Sequence, residues 1–308
     1  MRQATSLLAA AVLLAGCAKK PAHTRPQIGV TLLTEAHVFY QDLKKGLQAG
    51  ADSLALDLHI VAGEWDLARQ TSQVENFITQ KMDAVVIAPV DTRGIVSAVE
   101  EANRAGIPVF TVDISSAGGR VASHIASDNA QGGRLIGEYL AQLLGGKGNV
   151  AILDQPTLAS VIDRVRGFRE TIAGYPGIHI VAAPAVERGL RDVAKNKTDN
   201  LLQSHPDLAA IFGSNDDCAL GALASIRAAG KSGIVIVGFD ATPEAQAAIR
   251  EGSPLLADAI QYPQAIGRRT IEAVVARLHG QAVPRKIPIA VGIVDRDSLA
   301  RTPAAAAH

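Results

Sequence analysis

The chain has 308 residues, and its 30 lysines and arginines balance 30 aspartates and glutamates, so the formal charge is zero. That balance argues against the basic surface a nucleic-acid binder needs, and two cysteines exclude a disulfide scaffold or a multi-cysteine zinc site. With aromatics at only 4%, the core must rest on Ala, Val, Ile and Leu, which suits helices packed closely on a parallel sheet in one large or two medium α/β domains.

The N-terminus reads as a targeting segment. Arg2 precedes an apolar run over residues 4–14, the length of a signal-peptide core and too short for a span of ~20 residues. The run ends at Leu14-Ala15-Gly16-Cys17, which resembles the bacterial lipobox, so residues 1–16 are expected to be a lipoprotein signal and Cys17 the lipidated residue. Residues 17–26 read as a tether. The mature chain is expected in the cell envelope, periplasmic or extracytoplasmic, and held to the membrane by lipid alone.

From residue 27 strands and helices alternate. Strands are expected at 27–33, 58–61, 84–88, 108–112 and 121–127, with helices at 39–55, 67–81 and 92–105 between the first four. The pattern restarts with helix 130–144, where Asp128 is expected to cap and glycines 132 and 133 to allow close packing. Strands at 149–153, 179–182, 209–213, 234–237 and 255–260 follow, with helices at 160–173, 190–204, 216–229 and 243–251. A helix at 263–278, a strand at 287–293 and an alanine-rich tail expected to be disordered over 302–308 close the chain. Alternation of this kind predicts an α/β fold with two similar lobes, each with a parallel sheet.

Three apolar strands end in polar residues, Asp113, Asn215 and Asp240. The carboxyl ends of strands are where open α/β sheets bind ligands. Thr242 and Pro243 after Asp240 are a helix start. Enzyme motifs are lacking. Residues 34–37 carry no glycine for a dinucleotide turn, Gly145-Gly146-Lys147-Gly148 precedes a strand rather than a helix, and eight histidines lack metal-ligand spacing. The chain is therefore expected to be no enzyme and to hold no cofactor and no metal. Cys218 reads as a packing residue. Carboxylates and amides suit sugar hydroxyls, and Phe39 and Tyr40, about 100° apart on a helix start, predict one ring at the cleft and one in packing. Trp65 fits the cleft or the cap of the lobe equally well.

At these residues the chain resembles the periplasmic sugar-binding proteins of ABC transporters related to the ribose-binding protein, whose fold is also that of the ligand domain of lactose-repressor-type regulators. The resemblance runs over about 27–294 and is carried by residues 123–129, by Ser214-Asn215-Asp216-Asp217 with Ala219-Leu220-Gly221, by Val237-Gly238-Phe239-Asp240, and by Gln261-Tyr262-Pro263. It implies two Rossmann-like lobes joined by three crossovers, the type I periplasmic binding protein architecture. The expected lobes are 27–127 with 262–290 and 128–261 with 291–301. The implied function is capture of a small sugar or polyol and its delivery to a membrane permease by a monomer. His37, Phe39, Tyr40, Asp113, Asn215, Asp240 and Gln261 match ligand-binding positions of the family; His37 also fits an exposed helix start.

The chain departs from the ribose binder where that protein carries arginines, here Ile114 and Ile162, and its second-lobe aromatic falls near Gly189. Arg164 matches a family arginine of structural role, and a helix is expected to turn Arg164 and Arg166 away from the pocket. Two missing charged donors, worth roughly 1.5–3 kcal/mol each, argue against ribose in its usual pose, with Asp154, Gln155 or Trp65 as replacements. A sugar alcohol, a deoxy sugar or a differently oriented pentose or hexose fits. Alternatives are a nucleoside or furanone-like ligand, or presentation of ligand to a chemoreceptor or sensor kinase. A regulator would need a helix-turn-helix ahead of residue 27, where the signal and tether stand.

Overall fold

A computed structural model describes residues 25–301. The signal, Cys17 and the tail at 302–308 lie outside the described residues, as does all but the end of the tether. The first array comprises β1 (Gln27–Leu32), α1 (Val38–Leu54), β2 (Asp57–Ala62), α2 (Leu67–Thr79), β3 (Ala84–Ile87), α3 (Val96–Arg104), β4 (Val109–Val112) and β5 (Val121–Ser127). The second comprises α4 (Asn129–Leu143), β6 (Lys147–Leu153), α5 (Ala159–Ile172), β7 (Gly177–Ala182), α6 (Arg191–Ser204), β8 (Leu208–Gly213), α7 (Asp216–Ala228), β9 (Val235–Asp240), α8 (Pro243–Arg250) and β10 (Leu255–Ile260). The chain then returns through α9 (Pro263–Leu278), β11 (Lys286–Ile289), β12 (Gly292–Asp295) and α10 (Arg296–Arg301).

Two six-stranded sheets result, ordered β11-β5-β4-β3-β1-β2 and β12-β10-β9-β8-β6-β7. Every pairing is parallel except the edge pair β10–β12. Central strands are buried on both faces, which explains why Ala84 to Ile87 is continuously apolar rather than alternating. The order within each sheet reverses beside its first strand, so the carboxyl ends of β1, β3 and β4 face one crevice, and those of β6, β8 and β9 another.

One expected strand is two. Residues 286–289 pair with β5 in the first sheet and 292–295 with β10 in the second, with Ala290 and Val291 passing between. An apolar run carries no mark of which sheet it joins, so the break was invisible in the sequence. Asp128 N–H donates to Ile289 O at 2.8 Å, and Val291 N–H to Gln131 Oε1 at 3.3 Å, tying this passage to the one after β5. The third passage lies between Ile260 and Pro263.

Both arrays hold very close helix pairs. A Cβ on Gly46 of α1 would overlap the Gln264 carbonyl of α9, and a Cβ on Gly133 of α4 would overlap the Arg164 carbonyl of α5. The second contact fixes the height at which α5 presents its side chains to the space between the sheets.

Candidate functional site

The strand ends build one cavity between the two arrays, and all seven residues singled out in the sequence line it. His37 is the N-cap of α1: its Nδ1 accepts from Phe39 N–H at 3.2 Å, which leaves Nε2 to face Asp240 Oδ2 at 3.8 Å and Asp217 Oδ2 at 3.9 Å. Phe39 and Tyr40 meet edge to face, ring centres 5.2 Å apart. Both are buried and both line the cavity, rather than one at the cleft and one in packing. Tyr40 does more than present a ring, since its hydroxyl donates to Asp113 Oδ2 at 2.7 Å.

From the other side, Asn215 caps α7, its Oδ1 accepting from Cys218 N–H at 2.8 Å while Nδ2 donates to Gly189 O at 3.3 Å. Asp240 Oδ1 accepts from Gln261 Nε2 at 2.6 Å and from Arg164 Nη1 at 3.4 Å. Trp65 and Gln155, named as substitutes for missing donors, also line the cavity; Asp154 is not among its walls. Leu33, Leu158 and Val161 give it apolar surface.

Arg164 corrects the sequence reading. The helix does not turn it away: it is 5% exposed, lines the cavity, and its guanidinium lies 3.9 Å from the centre of the Phe239 ring. Nε donates to Asn129 Oδ1 at 2.8 Å and Nη1 to Ser214 O at 2.9 Å. Ile162, the position aligned with a pocket arginine, is 45% exposed instead. The signal was present in the sequence. Val161, Val165, Phe168 and Ile172 form the buried stripe of α5, and Arg164 stands on that stripe at i+3 from Val161. A charged residue on an apolar helix face needs a partner, and Asp240 is that partner. Arg188, beside the Gly189 that matched the family's aromatic, was also missed and lines the cavity from an exposed turn.

Two further observations set these walls apart from ordinary core. Trp65 (φ 63°), Asp113 (φ 63°), Arg188 (φ 55°) and Asp240 (φ 122°) all hold left-handed backbone that side chains disfavour, a conformation that persists only where the surroundings enforce it. In addition, Asp113 Oδ1, Gln155 Nε2 and Gln261 Oε1 are buried without a hydrogen-bond partner. Burial pushes the Asp113 carboxyl up to about 6, against the opposing pull of Arg164 and the Tyr40 hydroxyl; burial, then the Asp113 charge, raises Tyr40 as well. Two acceptors and one donor thus await a ligand that supplies both kinds of hydrogen bond.

The family model for the periplasmic binding protein domain matches residues 28–282. The chain is 33% identical over 288 residues to the ribose import binding protein of Escherichia coli, covering 93% of this chain and 96% of that one. It is 37% identical over 264 residues to the ribose import binding protein of Bacillus subtilis, covering 84% of each. A solved ABC transporter solute-binding protein from Bacillus halodurans with bound myo-inositol superposes with a TM-score of 0.83 at 28% identity, over 90% of this chain and 96% of that one. These relatives are binding components of transporters, not enzymes. The matches span almost every described element, both sheets and the cavity between them, and the chain belongs to the periplasmic binding protein family, type I.

Proposed function

We propose that the protein is the binding component of an ABC importer and captures a small sugar or polyol between its lobes. The carrying observation is the set of three unpartnered buried polar atoms, Asp113 Oδ1, Gln261 Oε1 and Gln155 Nε2, on the walls of a cavity that also holds Phe39, Tyr40 and Trp65. Hydroxyl groups donate and accept at once, so one polyhydroxylated molecule can satisfy all three, while the aromatic walls cover its C–H faces. Relatives that import ribose or hold myo-inositol support this chemistry.

In this reading His37, Phe39, Tyr40 and Asp113 act from the lobe formed by 27–127 with 262–290. Asn215 and Asp240 act from the lobe formed by 128–261 with 291–301, and Gln261 lies at a crossover. Arg164 holds Asp240 in place and joins it at the cavity wall. Ligand contacts to both lobes favour the closed form, which a membrane permease then engages. The chain acts as a monomer outside the cytoplasm, tethered by lipid on Cys17.

The test is a thermal-shift screen of residues 18–308 against pentoses, hexoses, polyols, nucleosides and furanones. A ligand at 100 times its dissociation constant adds about 2.7 kcal/mol to the folded state. A shift with a sugar or polyol is the expected result; a shift with nucleosides or furanones alone overturns the substrate class.

A further inference from the structure

Behind Asp240 lie two carboxyl groups that the binding reading does not use. Asp216 opens α7 and is 2% exposed; Asp258 lies in β10 and is fully buried. They grip consecutive backbone amides of the turn after β9. Asp258 Oδ1 accepts from Ala241 N–H at 3.1 Å, and Asp216 Oδ2 from Thr242 N–H at 2.6 Å. Holding neighbouring amides, the two carboxyl groups sit side by side, and Asp258 feels the charge of Asp216. The other two oxygens, Asp216 Oδ1 and Asp258 Oδ2, are buried with no hydrogen-bond partner.

Two ionised carboxylates held on consecutive amides in a dry interior repel strongly, and each leaves a buried oxygen without a donor. One proton held between them removes both problems: a carboxylic acid donates to a carboxylate. Asp216 receives the shorter bond, 2.6 Å from Thr242 N–H against 3.1 Å from Ala241 N–H to Asp258, and is the better anion, so Asp258 is the better acid. The surrounding charges agree. Asp240 on β9 adds to the repulsion, whereas Arg164 of α5 spends its guanidinium on Asp240 Oδ1 rather than on the pair. Burial raises both carboxyls above the usual aspartate range, and the Asp216 charge raises Asp258 further. Gly238 leaves room for the arrangement, because a Cβ there would overlap Asp258 Oδ2.

The turn this pair holds is strained. Asp240 (φ 122°) and Ala241 (φ 55°) are successive non-glycine residues with left-handed φ, and nothing intrinsic to either favours that. We propose that Asp216 and Asp258 share a single proton, and that this carboxylic acid–carboxylate pair is the positioning element that clamps residues 240–242 and aims the Asp240 side chain into the cleft. That last step rests on Asp240 being a ligand contact; the shared proton and the clamp do not.

The pair is tested in ligand-free protein by following the side-chain carboxyl carbons of Asp216 and Asp258, and the amides of Ala241 and Thr242, by NMR from pH ~4 to ~9. The expected result is one coupled titration, well above the ordinary aspartate value of about 4, with both amide signals moving at the same midpoint. In Asp258→Asn, whose amide can donate to Asp216 and still accept from Ala241, the amide titration disappears while both amides stay protected from exchange. Separate titration of the two carboxyls near ~4 overturns the proposal, and so do Ala241 and Thr242 amides that ignore the titration in wild type. Because no ligand is present, an Asp240→Asn variant that still bound sugar would overturn the cleft assignment of Asp240 and leave the pair standing.

Discussion

Asp113 shows how a carboxylate on the cavity wall differs from a core residue. Its carboxyl is buried, one oxygen is held by Tyr40, and the other has no partner. Burial raises its folded value to about 6 from 3.8, so the stabilisation is complete below the unfolded value and is lost as pH rises through about 6. At neutral pH the empty site therefore carries a strained anion. Asp113→Asn is expected to raise the stability of the unliganded protein at pH ~7 by on the order of 2 kcal/mol while weakening sugar binding. Ligand hydroxyls donating to the free oxygen favour the anion, so wild-type affinity should fall by up to about tenfold per pH unit below ~6, and the variant's should not. Calorimetric titration across that range checks both. Asp240 behaves differently, because it neutralises a buried arginine. Asp240→Ala would strand Arg164 and cost about 3–5 kcal/mol, whereas Asp240→Asn should keep most of the fold and still lose affinity. Urea unfolding beside binding separates the two effects; equal stability of both variants would count against the Arg164 pairing. Asp113, Asn215 and Asp240 were legible because they end apolar strands. Arg164 is legible only from the helical stripe it stands on and not from a position-by-position match, and Arg188 from neither, because nothing in Glu187-Arg188-Gly189 announces a left-handed turn.

At the scale of elements, strands and helices were readable almost throughout, since buried strands are continuous apolar runs and helix starts carry caps. Asp66, Asp128, Asn215 and Thr242 all accept from a first-turn amide. What was not readable was membership. The run at 286–295 splits between sheets, and α3 begins four residues after the expected start because Asp91 binds the Arg93 and Gly94 amides in a turn of its own. Close helix packing was foreseen at Gly133 without its consequence. The α4–α5 contact sets the position of Arg164 and so of Asp240. Gly133→Ala forces the two helices apart against the Arg164 carbonyl, with an expected loss of roughly 1–3 kcal/mol in urea unfolding. It should also weaken sugar binding, although residue 133 does not line the cavity. A binding constant unchanged alongside that loss would show that Arg164 adjusts freely.

For the whole molecule, the question is what holds the lobes together around a ligand. Helix α5 starts at Ala159 with no cap from its own N-cap residue, Leu158. The donor that would go unmet is instead taken from across the cleft: Ala159 N–H donates to Thr92 Oγ1 at 3.1 Å, and Thr92 follows β3 of the first sheet. A helix of one lobe is thus capped by the other, so this hydrogen bond ties the lobes together across the cleft. His37 Nε2 approaching Asp240 and Asp217 is a second contact across the same gap. N-caps contribute about 1 kcal/mol, and removing this one should tilt the open–closed balance by that amount without touching the ligand contacts. Thr92→Val keeps the shape of the side chain and deletes its acceptor. Sugar affinity should drop about fivefold, because only the closed fraction binds with full contacts. Small-angle scattering of unliganded variant should give a larger radius of gyration than wild type, and saturating sugar should bring the two to the same value. Identical affinity together with identical unliganded scattering would mean that Thr92 and Ala159 meet without biasing closure, and that the hinge energetics reside in the crossovers themselves.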